Sequence, residues 1–299
     1  MALPLAKPQP QCENTGAFAP THRWQAPRVL HLWHLTSLDA PTVAVVWTLA
    51  FAWTAGVRLD AWVPLLVACG TWTAYVGDRL LDAHHAIQSG NLGALRERHY
   101  FHWRRRHVLI PTACATAAIA TVLIARCMPV AVRSRGSVLA AAALMYFSGV
   151  HTAVRLPDWL RRLASKELLV GLLFTAGCAA PALSRLHSAH GPFFACLALF
   201  AALAWMNCVA IESWESTTDQ TAVFRRTVVL GIVGIAASGA LAFTDMRASA
   251  LACSGAASAL LLALLDRKRA RISPLTLRAL ADVVLLAPLV LVILGARQP

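Results

Sequence analysis

The chain has 299 residues, of which 58% are hydrophobic and only 14% charged. Soluble domains run near 45–50% apolar and about 25% charged, so this composition, with a mean hydropathy of +0.59, excludes a disordered chain and a coiled coil and argues against a soluble enzyme. Lys and Arg outnumber Asp and Glu by 27 to 14, a net +13. In so apolar a chain that excess marks arginines flanking membrane spans and gives no reason to expect nucleic acid.

The first 28 residues carry Pro4, Pro8, Pro10, Pro20 and Pro27 and lack the apolar stretch of a signal peptide. Residues 1–30 therefore read as a flexible cytoplasmic tail. His31 to Leu38 read as an interfacial lead-in, with Trp33 at the headgroup level. A span needs about 20 mostly apolar residues. Nine segments qualify: 41–57, 61–77, 108–125, 136–154, 168–184, 192–211, 227–243, 248–265 and 279–296. They make residues 31–299 one all-α, polytopic domain of nine transmembrane helices. With the N-terminus inside, twenty of the 27 basic residues fall in inner connections, the asymmetry expected of a cytoplasmic N-terminus in a bacterial-style inner membrane. The long connections, 78–107 and 212–226, then both face the cytoplasm. Seven of the eight cysteines lie in or beside spans and no CxxC occurs, which suits small packing residues.

With few acids in the chain, their grouping is informative. Most sit at span ends or in connections beside basic residues, Asp39 among them, and Asp282 is the exception that reaches inside the last span. Asp78 and Asp82 close the second span four residues apart; Glu215 and Asp219 close the sixth with the same spacing, and Asn207 continues that face inward. Four apart on a helix means one face, where two like charges repel by about 0.2–0.5 kcal/mol. Mg²⁺ reverses that sign, because it takes one or two carboxylates and completes its shell with water and phosphate oxygens. An ion-paired helix end, using Arg79 and His85, is the plainer alternative for either pair alone. The recurrence of the pair on a second even-numbered span favours a site.

At these residues the sequence resembles the UbiA superfamily of intramembrane prenyltransferases. That family has nine helices, an Asn-x-x-x-Asp-x-x-x-Asp motif after helix 2 and an Asp-x-x-x-Asp motif after helix 6. Asp78 and Asp82 match the acids of the first motif, and Glu215 and Asp219 look like the second with Glu in place of its first Asp. Ser37-Leu-Asp-Ala-Pro41 looks like the family's opening segment, and Ala74 stands where the family has Asn. The resemblance implies a Mg²⁺-dependent transfer of an isoprenoid group from an allylic polyprenyl diphosphate to a small aromatic or lipid-like acceptor. It implies Asp78, Asp82, Glu215 and Asp219 as catalytic metal ligands. Arg79 is then the nearest basic residue for the diphosphate, with Arg98 and Arg104 behind it. Asn207 is a supporting ligand, and Tyr75 or Glu212 positions the acceptor.

Two other classes compete. The histidines His84, His85, His99, His102 and His107 gather in one inner connection, and imidazole suits iron, so a membrane di-iron oxygenase is one; no His-x-x-His-His occurs to support it. The other is a non-catalytic lipid- or isoprenoid-binding or transport protein on the same scaffold, since fold does not fix function.

Overall fold

The computed structural model describes residues 23–91, 95–134, 136–137, 141, 165–186, 191–215 and 221–295. Every regular element among them is helical, beside one isolated bridge between Trp24 and Ile272. In chain order they are α1 (Arg28–Leu35), α2 (Asp39–Thr54), α3 (Trp62–Gln88), α4 (Glu97–Arg104), α5 (Arg106–Cys127), α6 (Lys166–Leu183), α7 (Gly191–Glu215), α8 (Thr221–Leu241), α9 (Met246–Lys268), α10 (Pro274–Val284) and α11 (Leu289–Gly295).

Six helical stretches among the described residues are long and apolar enough to cross a membrane: α5, α6, α7, α8, α9 and the pair α10–α11. A seventh forms if α1 and α2, bent by 85°, count as one. The chain is thus an all-helical protein with several apolar helices of membrane-crossing length. The expected span at 61–77 falls on the 27-residue α3, which Thr71, Thr73, Tyr75, Asp78, Arg79 and Asp82 make more polar from Thr71 onward. The expected span at 136–154 lies outside the described residues apart from positions 136, 137 and 141.

Local chemistry explains where helices start and stop. Ser165 caps α6 by accepting the Leu168 N–H, and Asp245 caps α9 by accepting from Arg247 and Ala248. Ser273 caps α10 with Pro274 in the first turn, where proline has no N–H to lose. The last span breaks between α10 and α11 because Pro288 cannot donate and its ring clashes with the preceding turn. That break leaves carbonyls to satisfy, and the core supplies donors. The Trp47 indole N–H reaches the Leu285 carbonyl at 2.9 Å, and the Ser258 hydroxyl reaches that of Val284 at 2.7 Å.

Trp47 is also the centre of the main core. It stacks on Phe200 at 3.8 Å and meets Phe51, with Phe193, Leu203 and Leu251 around them. Close helix approach depends on glycine: a Cβ on Gly171 of α6 would lie 2.8 Å from the Trp205 backbone nitrogen of α7. Among the described candidate spans α5 is the least covered, with Val108, Ile110, Ile119 and Val122 exposed, as lipid-facing residues of a span are.

The segment before α1 is tied down. Trp24 donates to the Arg271 carbonyl at 2.8 Å and accepts from Ser273 at 3.0 Å, Ala26 donates to the Thr276 hydroxyl, and His31 bonds the same hydroxyl at 2.9 Å. These bonds hold α1 against the start of α10, which brings Asp282 towards His34.

Candidate functional site

α3 carries the polar residues that organise the site. Its Arg79 is buried and turns into the corner between α1 and α2. There it donates to the Ser37 hydroxyl and, at 3.3 Å, to the His34 carbonyl, and it stands 3.8 Å from the Asp39 carboxylate. Ser37 makes the corner with a positive φ of 59°, a conformation that costs a residue other than glycine about 1–3 kcal/mol. Bonds to Ser37 from Arg79 and His102, and from the Trp72 indole to the neighbouring Thr36 carbonyl, hold it there.

Behind the corner lies a buried polar node. His34 Nδ1 hydrogen-bonds Asp39 Oδ2 at 2.6 Å and stands 3.7 Å from Asp282 Oδ2. Asp39 Oδ1 accepts the Ala40 N–H, and the Asn207 amide reaches Asp282 Oδ1 at 3.4 Å. Five helices, α1, α2, α3, α7 and α10, thus each contribute a polar side chain to one place.

α4 closes over this node. The His102 ring donates from Nδ1 to the Arg98 carbonyl at 2.8 Å, which leaves Nε2 to accept from Ser37 at 3.0 Å. Burial, with the Arg79 charge adding to it, pushes the His102 pKa down to about 4. His99 is pushed down to about 3 by burial and by Arg98, Arg79 and Arg96. Loss of water, then Arg79 and Arg96, lowers Arg98 to about 10, which leaves it charged at neutral pH, and Asp78 and Asp39 act on it in the opposite sense.

α4 also links the two acid-bearing helices. His99 Nε2 lies 3.8 Å from Asp82, and its Nδ1 accepts the Arg96 N–H. The Arg96 side chain pairs with Glu215, whose other oxygen pairs with Arg278 of α10. Asp82 and Glu215 are therefore on one side of the bundle with α4 between them.

Beside the node is a cavity of about 510 Å³ between α2, α3 and α6. Its lining is mostly apolar, with Leu66, Ala74, Tyr75 and Phe174 among it, and its charged residues are Asp78 and Lys166. A second, smaller cavity of about 40 Å³ is lined by Asn207, Asp282 and Tyr75. Tyr75, Val170 and Phe174 line both.

The residues singled out in the sequence therefore separate. Asp78 and Tyr75 line the large cavity; Asp82 faces α4. Arg79 and Asn207 belong to the buried node. Arg98 sits in α4 in the field of Asp78, whereas Arg104 and Glu212 are exposed. Asp219 lies outside the described residues. The acids of α3 are hard oxygen donors on one helix face, one on the cavity and one partly exposed, and they suit a hydrated Mg²⁺. Both oxygens of Glu215 are held by arginines, so a metal there requires an arginine to leave. Neither ring nitrogen of His102 is available to iron.

His34 and Asp39 are site residues that sequence reasoning left at a span end. Their signal was the price of ionisable groups near a bilayer core, applied to Asp282 alone. Comparison with protein-family models, curated proteins and solved structures finds no match to this chain.

Proposed function

We propose that the chain is a Mg²⁺-dependent intramembrane prenyltransferase of UbiA type, with nine spans and a cytoplasmic N-terminus in the inner membrane. Its donor is an allylic polyprenyl diphosphate and its acceptor a small aromatic or lipid-like molecule. The observation that carries this reading is the apolar cavity of about 510 Å³ with Asp78 in its lining. Ligand pockets run about 300–1,000 Å³ and are mainly apolar with a few placed polar groups. An isoprenoid chain fits that description, and each buried CH₂ is worth about 0.8 kcal/mol.

In this reading Asp78 and Asp82 hold Mg²⁺, with Glu215 and Asp219 as the second pair. Bound Mg²⁺ would supply charge neutralisation for the departing diphosphate. The allylic C–O bond breaks with its electron pair staying on the diphosphate oxygen. The acceptor forms the new bond to the allylic carbon and gives up a proton. Arg98, charged and close to Asp78, is placed to bind diphosphate oxygens. Arg96 holds Glu215 and can exchange that carboxylate for a diphosphate, which frees one Glu215 oxygen while Arg278 keeps the other. Tyr75 and Phe174 keep water from the tail.

The test is direct. Purified protein is given allylic diphosphates of several chain lengths, and thermal stabilisation and diphosphate release are read with and without Mg²⁺. Mg²⁺-dependent stabilisation that disappears in Asp78→Asn is expected. Its absence at every chain length overturns the reading. A second reading, a non-catalytic isoprenoid binder, is favoured by the arginine pairs on Glu215, and stabilisation without release for any acceptor would select it.

A further inference from the structure

His34, Asp39 and Asp282 are not among the acids assigned to Mg²⁺, and the proposed transfer uses none of them. Their ligand atoms all lie within 4.8 Å of one another. All three are drawn from separate helices, α1, α2 and α10, and the bonds of Trp24, Ala26 and His31 to the start of α10 hold two of those helices together. His34 and Asp39 are 2% and 1% exposed. Nothing in the packing of apolar helices calls for two carboxylates here.

The charges balance only if His34 carries a second ring proton. Two carboxylates face one guanidinium, that of Arg79, at 3.8 Å from Asp39. With a neutral imidazole the node keeps one negative charge in excess, and uncompensated buried charge is strongly destabilising. A polar group beside the node is also incomplete. Asn207 is 6% exposed, its amide nitrogen faces Asp282, and its Oδ1 has no hydrogen-bond partner among the described residues. The cavity of about 40 Å³ lined by Asn207, Asp282 and Tyr75 exceeds the ~10–15 Å³ that one water needs. Tyr75 also borders the larger cavity, which gives a way in.

We propose that His34, Asp39 and Asp282 form a buried binding site for a first-row divalent transition ion such as Mn²⁺ or Zn²⁺, with the Asn207 side chain beside it. The imidazole selects the class. Carboxylate and amide oxygens suit Mg²⁺ or Mn²⁺, but a nitrogen ligand favours a transition ion over Mg²⁺ or Na⁺. Metal binding at Nδ1 leaves the one ring proton of a neutral imidazole on Nε2, which has no hydrogen-bond partner among the described residues; from a protonated imidazole the second proton goes to solvent. The site is separate from the acids of α3, so it stands whether or not the transferase reading does.

Mn²⁺ is the probe. Full-length protein in detergent is stripped with chelator, titrated with Mn²⁺ and read by pulsed EPR, in which a nitrogen ligand modulates the signal. The background carries Asp78→Asn, Asp82→Asn, Glu215→Gln and Asp219→Asn, which removes the acids assigned to Mg²⁺. One bound Mn²⁺ with nitrogen modulation is expected there. Adding Asp282→Asn should weaken binding by more than tenfold, and adding His34→Gln should abolish the modulation. Elution profile and helicity report folding. If a further variant fails to fold, the signal of the background protein decides alone. No bound Mn²⁺ or Zn²⁺ in that protein, or Mn²⁺ bound without nitrogen modulation, overturns the proposal and leaves a proton on His34 as the compensating charge.

Discussion

Between α8 and α9 the contact is made of glycine, alanine, leucine and two serines; at the α1–α2 corner it is made of charges. In the first, Gly231 meets Leu260, Gly234 meets Ala256, and Ser238 and Ser249 exchange hydroxyl–carbonyl bonds at 2.9 and 2.8 Å. In the second, Arg79, Asp39, His34 and His102 are all buried. Lipid tails are as apolar as leucine, so membrane helices gain from close packing, and the hairpin needs nothing more. The corner takes on desolvation that packing does not require. That difference separates residues that hold the bundle from residues that do something in it.

Removing one charge from the corner should have the largest effect. Arg79→Met keeps most of the side-chain volume but leaves Asp39 without its cation. Breaking a buried pair this way costs about 3–5 kcal/mol, read as a loss of resistance to denaturant in micelles. Adding Asp39→Asn should recover part of it; no recovery would mean that Arg79 acts through Ser37 alone. The hairpin is broken differently. A Cβ on Gly234 would stand 2.9 Å from that of Ala256, so Gly234→Leu forces the helices apart at about 1–3 kcal/mol.

The corner should also respond to pH through His102. Its pKa in the folded chain is about 4 against an ordinary value of 6.5. Below pH 6.5 the unfolded chain takes up a proton that the folded chain refuses until about pH 4. Stability from this group is therefore complete above pH 6.5 and is lost as pH falls through that window. His102→Gln, which cannot titrate, should flatten the decline of the melting temperature between pH 6.5 and 4.5. An unchanged slope would place the acid sensitivity elsewhere. The α8–α9 hairpin offers no comparable group.

How much of this was legible follows from range. The apolar spans at α5 to α9 show in the sequence because each is a long local run; the last span, read as unbroken over 279–296, is interrupted between Val284 and Leu289. The acids of α3 show because helix spacing is local too. The corner does not. Nothing about Ser37 signals a φ of 59°; Arg79, 42 positions on, and His102, 65 positions on, hold it there. Asp39 reads as a solvated span end until His34 and Asp282 are known to face it. Glu215 reads as a metal ligand from its spacing, and the arginines that pair with it, Arg96 and Arg278, come from distant parts of the chain.

The smallest change tests the comparison most sharply. Ser249→Ala removes a hydroxyl that donates to the Ser238 carbonyl and meets the Ser238 hydroxyl. Side-chain hydrogen bonds between membrane helices average only about 0.6 kcal/mol. One reason is that a serine hydroxyl left without its partner can turn to the carbonyl a turn back on its own helix. Ser238 also keeps its own bond to the carbonyl of residue 249 after the substitution, whereas Asp39, still bonded to His34 and Ala40, has no replacement for the guanidinium charge when Arg79 is removed. The expected loss is therefore below about 1 kcal/mol, several-fold less than Arg79→Met in the same denaturant series. Equal losses would mean that fallback does not govern the cost of a missing partner, and that burial of charge at the corner marks no special role.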